Sequence, residues 1–211
     1  MAIRPDLHFC KLDDKFILLC LRSGRYSLLA GETAHRFDRF RSGQRDRSDI
    51  EWLAARGLLA ATDDKAPVRP RRVTDPVSGF LDATVPAPTV RETARAIINQ
   101  FRVRRALRVR TLAAALAPLR EFVPGAESRN LAAGLAVAAA FHRARRYVPA
   151  IDQCLVRGIA MKRRLDEKKV DARLVLGVTL PFSAHCWVQA GEIVLTDPID
   201  VVRPFKQILV I

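Results

Sequence analysis

Apolar residues recur along the chain with two different periods, and the changes of period divide it into strand-like and helix-like stretches. Residues 7–11, 15–21 and 25–29 are rich in strand formers, and Ser23-Gly24 marks a tight turn between the last two. Residues 31–40 and 48–56 then carry a helical pattern. Ser48 with Glu51 three residues on has the form of a capping box, and Gly57 follows as a helix stop. Thr89 and Glu92 repeat the box ahead of an apolar stripe at Ala94, Ile97, Ile98 and Phe101. Helical patterns continue over 112–122 and 128–147. Pro149 breaks the run, and a helix restarts near Asp152, its expected N-cap, and reaches about Glu167. Alternation then takes over in 173–180, 185–189 and 192–197, with Ala190-Gly191 as the turn between the last two.

Pro67, Pro70, Pro76, Pro86 and Pro88 crowd the stretch 65–88, which disfavours a regular helix or central strand there. It reads as a linker or an irregular packed connection between a region 1–64 and a region 89–211. Three strands and a helical pair give the first region the order of a winged helix-turn-helix. The second, helices ahead of an antiparallel sheet, is α+β.

Composition narrows the class. Hydrophobic residues make up 49% of the 211 and charged residues 27%, the balance of a globular chain with a core to bury. The longest apolar run, 131–141, is far short of the roughly 20 residues of a membrane helix, and the N-terminus lacks an apolar signal segment. A soluble, cytoplasmic protein without a membrane partner is expected. Cys10, Cys20, Cys154 and Cys186 are too scattered for a disulfide scaffold, and no cysteine or histidine pair has zinc spacing, so no metal is expected. The net charge of +14 is concentrated in 89–150, which alone carries +9, with Arg102, Arg104, Arg105, Arg108 and Arg110 in one short run. That run reads either as a solvated helix face or as a docking surface for an acidic partner. Region 1–64 is only +1, and its second helix opens with Asp49 and Glu51 where phosphate contact would want cations. Only Arg45 and Arg47 nearby favour DNA, so nucleic acid is not the expected partner.

Candidate chemistry gathers in the second region. Cys154 falls in the first turn of its helix, where unpaired N–H groups and the helix dipole favour a thiolate. His185 begins one strand of a hairpin and Asp197 ends the other, so the fold-back can bring carboxylate to imidazole. A thiol, a base and an orienting acid form an activated-nucleophile set. The same spacing also suits a buried core cysteine, a structural histidine and a turn-initiating aspartate before Pro198, and Asp200 is a second carboxylate near the hairpin end.

The segments 154–161, 174–178, 181–188 and 195–197, above all Cys154 combined with Pro181-Phe182-Ser183-Ala184-His185-Cys186-Trp187-Val188, resemble the B protein of lasso-peptide biosynthetic clusters. That family is a cysteine peptidase of transglutaminase-like fold. Residues 13–19 and 23–29 of the first region resemble its leader-recognition element, similar to PqqD. The resemblance implies a maturation protease with Cys154 as nucleophile, His185 as base and Asp197 as acid. Trp187 would shield the imidazole or simply pack. The oxyanion would meet the N–H of Cys154, with Gln153 as a possible helper. Two positions depart from the family: Cys186 where alanine is common, expected to point away from His185 and be inert, and Gly158 where serine is common. The resemblance further implies that a precursor's leader adds as a strand beside the third strand, against Arg25, Tyr26, Ser27, Leu28, Leu29, Ile50, Leu53 and Ala54. An asparagine-synthetase-like lactam cyclase would act next. Maturation in the family is associated with ATP, yet the chain has no GxxxxGK[ST] loop and no bound cofactor is expected. Two rivals remain at this point: a transglutaminase-like acyl transferase with the same triad, and a basic winged-helix regulator.

Overall fold

The computed structural model describes residues 1–61, 72–82, 87–120, 130–148 and 153–211. The chain divides into two compact units, Met1–Pro70 and Arg71–Ile211.

In the first unit a two-residue strand β1 (Ala2–Ile3) precedes an antiparallel meander of β2 (Leu7–Leu12), β3 (Lys15–Cys20) and β4 (Arg25–Leu29). Gly24 takes a positive φ at the predicted turn, which only glycine adopts without strain. Helices α1 (Gly31–Arg41) and α2 (Arg47–Ala55) follow, and β5 (Leu59–Ala60) returns to pair with β1, a closure that two-residue strands give no pattern to foresee. The cap of α2 differs from expectation. Asp46, not Ser48, is the N-cap, and its carboxylate accepts from the Ser48 N–H at 2.7 Å. An ionised acceptor at the positive helix end is the stronger cap of the two. Phe16, Leu18, Ala34, Phe37, Phe40, Leu53, Leu58 and Leu59 make the core of this unit. Asp49 is buried and takes bonds from Arg36 at 3.0 Å and Arg39 at 2.8 Å, which ties α2 to α1.

The second unit opens inside the proline-rich stretch. Val73 exchanges main-chain bonds with the Gln207 side chain, β6 (Ser78–Gly79) joins a sheet, and Phe80, in a single 3-10 turn, is buried. The rest of that stretch, 65–71 and 83–86, lies outside the described residues. Helices α3 (Val90–Val109), α4 (Leu112–Arg120), α5 (Leu131–Ala144) and α6 (Cys154–Glu167) come next. Then come β7 (Arg173–Thr179), β8 (Ser183–Ala190), β9 (Ile193–Val194), the short α7 (Ile199–Val202) and β10 (Lys206–Val210). The sheet order is β10-β7-β8-β9-β6, so the fold is α+β as expected, but β6 pairs with β9 in parallel and the sheet is mixed rather than antiparallel.

Helix α3 is capped by Thr89, which accepts from the Glu92 N–H at 3.2 Å. Its buried face is not the predicted one. Thr93, Ala96, Gln100 and Val103 face inward, while Ala94 is exposed and Ile98 and Phe101 stand 48% and 51% exposed. The inward polar groups are satisfied within the helix itself: Thr93 Oγ1 donates to the Thr89 carbonyl and Gln100 Nε2 to that of Ala96. Polar side chains that bond locally can be buried at little cost.

One face of the sheet lies against α6, where Gly158 sits over Leu174, Cys186 and Val188. On the other face Val175, Trp187, Val194, Val202 and Val210 form a core with Phe205 packed on it. Gly177 is required there, since a Cβ would stand 2.5 Å from the Trp187 ring.

Candidate active site

Cys154 is the first residue of α6 and follows the N-cap Gln153. Asp152, predicted as the cap, lies outside the described residues. His185 is the third residue of β8, paired with Gly177 of β7. The strand expected over 192–197 is only β9, and Asp197 lies beyond it. Val188 nevertheless keeps that segment in register by accepting from the Leu195 N–H at 2.8 Å and donating to Thr196 Oγ1 at 3.1 Å. Asp197 therefore reaches the edge of β8, and its Oδ2 lies 3.3 Å from His185 Nε2. His185 also interacts with Cys154, and each group shifts the other's titration.

The three groups shift one another. Burial pushes the Cys154 thiol up, but its hydrogen bond and charge contact with His185 outweigh this. The main-chain groups of Cys186 and Leu155 add to the effect, so the thiol is held below its ordinary value. Burial presses His185 down, while bonds to Asp197 and Cys154 carry it up to about 9. Asp197 also resists burial and lies below the usual carboxylate value through His185, Thr196 and Arg145. Each of the three shifts favours the charged set of thiolate, imidazolium and carboxylate over the neutral one.

Asp200 plays no part in this cluster. Its side chain is 83% exposed and lies 3.5 Å from Arg203. Trp187 is fully buried, stacks beside His185 with ring planes 16° apart, and donates its indole N–H to Gln189 Oε1. It both packs and walls off one side of the imidazole. Cys186 points onto Gly158, away from His185, and burial raises its thiol well above the ordinary value. Two arginines were not anticipated. Arg145, the C-cap of α5, and Arg157, in α6, both approach Asp197. No local motif marks them, because each meets the carboxylate only through the fold. Gln153 is buried next to Cys154, with its Oε1 unpartnered among the described residues. Among those residues no group of three or more His, Cys, Asp or Glu side chains is arranged to hold a metal. No described helix is long and apolar enough to cross a membrane.

The residues expected to meet a leader divide. Arg25, Ser27 and Leu28 of β4 are exposed, Tyr26 and Leu29 half-buried, and among the described residues β4 pairs only with β3. Ile50 and Ala54 of α2 are half-buried against the core. Leu53 is fully buried within that core and has no surface to offer a ligand, which corrects its place in the set.

Residues 97–210 match the transglutaminase-like superfamily, and all three residues of the cluster fall inside that match. A stretch of 45 residues is 47% identical to the microcin J25-processing protein McjB of Escherichia coli. It covers 21% of this chain and 22% of that protein's length. No solved structure matches the chain. Both positive findings bear out the resemblance of the second region to a transglutaminase-like processing protein. With more than half of its length matched, this chain belongs to the transglutaminase-like superfamily.

Proposed function

We propose that this protein is the leader peptidase of a lasso-peptide pathway. The observation that carries the reading is the grouping of Cys154, at the start of α6 and electrostatically coupled to His185, with the contact of His185 Nε2 to Asp197 Oδ2 at 3.3 Å. The likeness to a microcin-processing protein supplies the substrate class, a precursor peptide.

In this reading the Cys154 thiolate attacks the carbonyl at the leader–core junction. Negative charge gathers on the carbonyl oxygen, and the N–H of Cys154 and the side-chain amide of Gln153 are the donors at hand to receive it. With Nε2 turned to Asp197, the remaining ring nitrogen of His185 serves the sulfur side and protonates the departing amine as the C–N bond breaks. The leader is left as a thioester on Cys154. His185, now neutral, takes a proton from water, which hydrolyses the thioester and restores the thiolate. The free core amine passes to an asparagine-synthetase-like cyclase.

The first unit is a PqqD-like recognition module in this account. The edge of β4, which among the described residues has no second neighbour, supplies backbone donors and acceptors for an added leader strand, and Ile50 and Ala54 line the side chains' path. Leader capture raises the effective concentration of the junction at the second unit.

The test is mass spectrometry of the cognate precursor after incubation with the purified chain, with and without ATP and the cyclase. One cut at the junction is expected, absent in Cys154→Ala, which still binds the leader. Product mass separates hydrolysis from acyl transfer to an amine. Cleavage by the pure Cys154→Ala variant would reject the nucleophile.

A further inference from the structure

The acid of the cluster is gripped from behind. Arg145 donates through Nη2 to Asp197 Oδ1 at 2.9 Å and, with the same nitrogen, to the Thr196 carbonyl at 2.7 Å. Arg157, one turn into α6 from Cys154, brings Nη1 to 3.7 Å from the same Oδ1. The side chains of Arg157 and Asp197 are each only 9% exposed. The two carboxylate oxygens are thereby divided: Oδ1 belongs to the arginines and Oδ2 to His185.

That division matters because Asp197 stands on a segment past the end of β9, with no strand of its own to fix it. A carboxylate on such a segment can turn about its Cβ–Cγ bond and swing with its backbone, and a small displacement weakens a buried hydrogen bond steeply. Arg145 opposes both motions at once, holding the side-chain oxygen and the neighbouring backbone carbonyl to the end of α5. Arg157 adds a second buried cation beside the same oxygen through Nη1, while its Nε has no acceptor among the described residues.

We propose that Arg145 and Arg157 are positioning residues that clamp Asp197 so that one oxygen alone is presented to His185. The inference rests on the Cys154–His185–Asp197 reading of the site, but its test does not need cleavage. The charged and titratable groups about Asp197 are His185 from β8, Arg145 from the end of α5, Arg157 and Cys154 from α6, and the buried Cys186 thiol. His142, one turn before Arg145, lies within the field of both arginines. Losing the clamp weakens the support of the imidazolium by its acid, and a weaker imidazolium disfavours the thiolate.

The measurement is the rate of iodoacetamide alkylation at Cys154, resolved from the other cysteines by peptide mass spectrometry, on the full chain from about pH 5 to about pH 10. Arg145→Met should move the midpoint up by about one pH unit. Arg145→Lys, which keeps a cation and a donor, should recover most of it, and Arg157→Met should move the midpoint the same way by less. In an Asp197→Asn background Arg145→Met should add nothing further, because the arginine acts through the acid. An unchanged profile in folded Arg145→Met, or a full shift persisting in the Asp197→Asn background, overturns the clamp. If Arg145→Met does not fold, Arg145→Gln takes its place with the same expectation. A native protein that cleaves no precursor would sink the peptidase reading and leave the alkylation profile to decide the clamp. An unchanged profile in a cleaving Arg145→Met would sink the clamp alone.

Discussion

At the scale of single residues, the cluster makes a directional prediction about pH. The proposed mechanism needs Cys154 without its proton and His185 with one. The thiol is held below its ordinary value, so the acidic limb of kcat/KM should lie below the range of an unperturbed cysteine. His185 keeps its proton up to about 9, so the rate should fall as pH rises through that value, when no proton remains for the leaving amine. The two limbs belong to the coupled pair rather than to either group alone. A rate still climbing beyond the alkaline limb would remove His185 as the acid. The choice of carboxylate is equally sharp. Asp197→Asn leaves the imidazole without its charged partner and should lower kcat by about a hundredfold or more. Asp200→Ala removes an exposed side chain near the start of α7 and should leave kcat unchanged. Equal losses in the two variants would contradict the assigned acid.

At the scale of elements, turn chemistry was the most legible part of the sequence. Gly24, Gly57 and Gly191 all take positive φ where glycine was expected to turn the chain or end a helix. Chemistry near in sequence was legible for the same reason: Cys154 leads its helix, and His185 lies at the start of its hairpin. What escaped depends on distant partners. Apolar periodicity favoured Ile98 and Phe101, yet α3 buries Thr93 and Gln100, whose polar atoms bond inside the helix, and small residues let neighbouring helices approach. Ile98→Ser and Phe101→Ser should therefore each shift stability by no more than about 0.5 kcal/mol, whereas Val103→Ala should cost at least about 1 kcal/mol in thermal or denaturant unfolding. The reverse ranking would mean that the exposed stripe is the packed one. The two departures from the family pattern prove to be one packing arrangement. A Cβ at Gly158 would stand 2.8 Å from Leu174 Cδ1 and 3.0 Å from Cys186 Sγ, so a glycine here accommodates the sulfur there. Gly158→Ala should be destabilising, overpacking of about 1–3 kcal/mol outweighing the roughly 1 kcal/mol gained in helix propensity. Cys186→Ala should relieve it, giving a favourable coupling of about 1 kcal/mol in a double-mutant cycle. Additive effects would show that the two residues are independent.

At the scale of the whole molecule, the proposal assigns capture to one unit and chemistry to the other, and a kinetic split can tell whether they divide the work that way. Ser27 pairs with Leu18 and Leu29 with Phe16, and both partners on β3 belong to the core beneath the helices. Ser27 therefore lies on the helix side of β4, exposed, beside the edge where an added strand would run. A tryptophan at this exposed position fills the path of the leader, and Ser27→Trp should change unfolding stability by less than about 0.5 kcal/mol. Its effect should fall on capture alone. Leader affinity and KM for the precursor should worsen about tenfold or more, while kcat at saturating precursor stays near native, because the bound complex meets the same Cys154. Arg145→Met provides the opposite case, a fall in kcat with leader affinity intact. Were Ser27→Trp to lower kcat with KM unchanged, the leader would not be held along β4, and recognition would have to be sought in the unit that carries the cysteine.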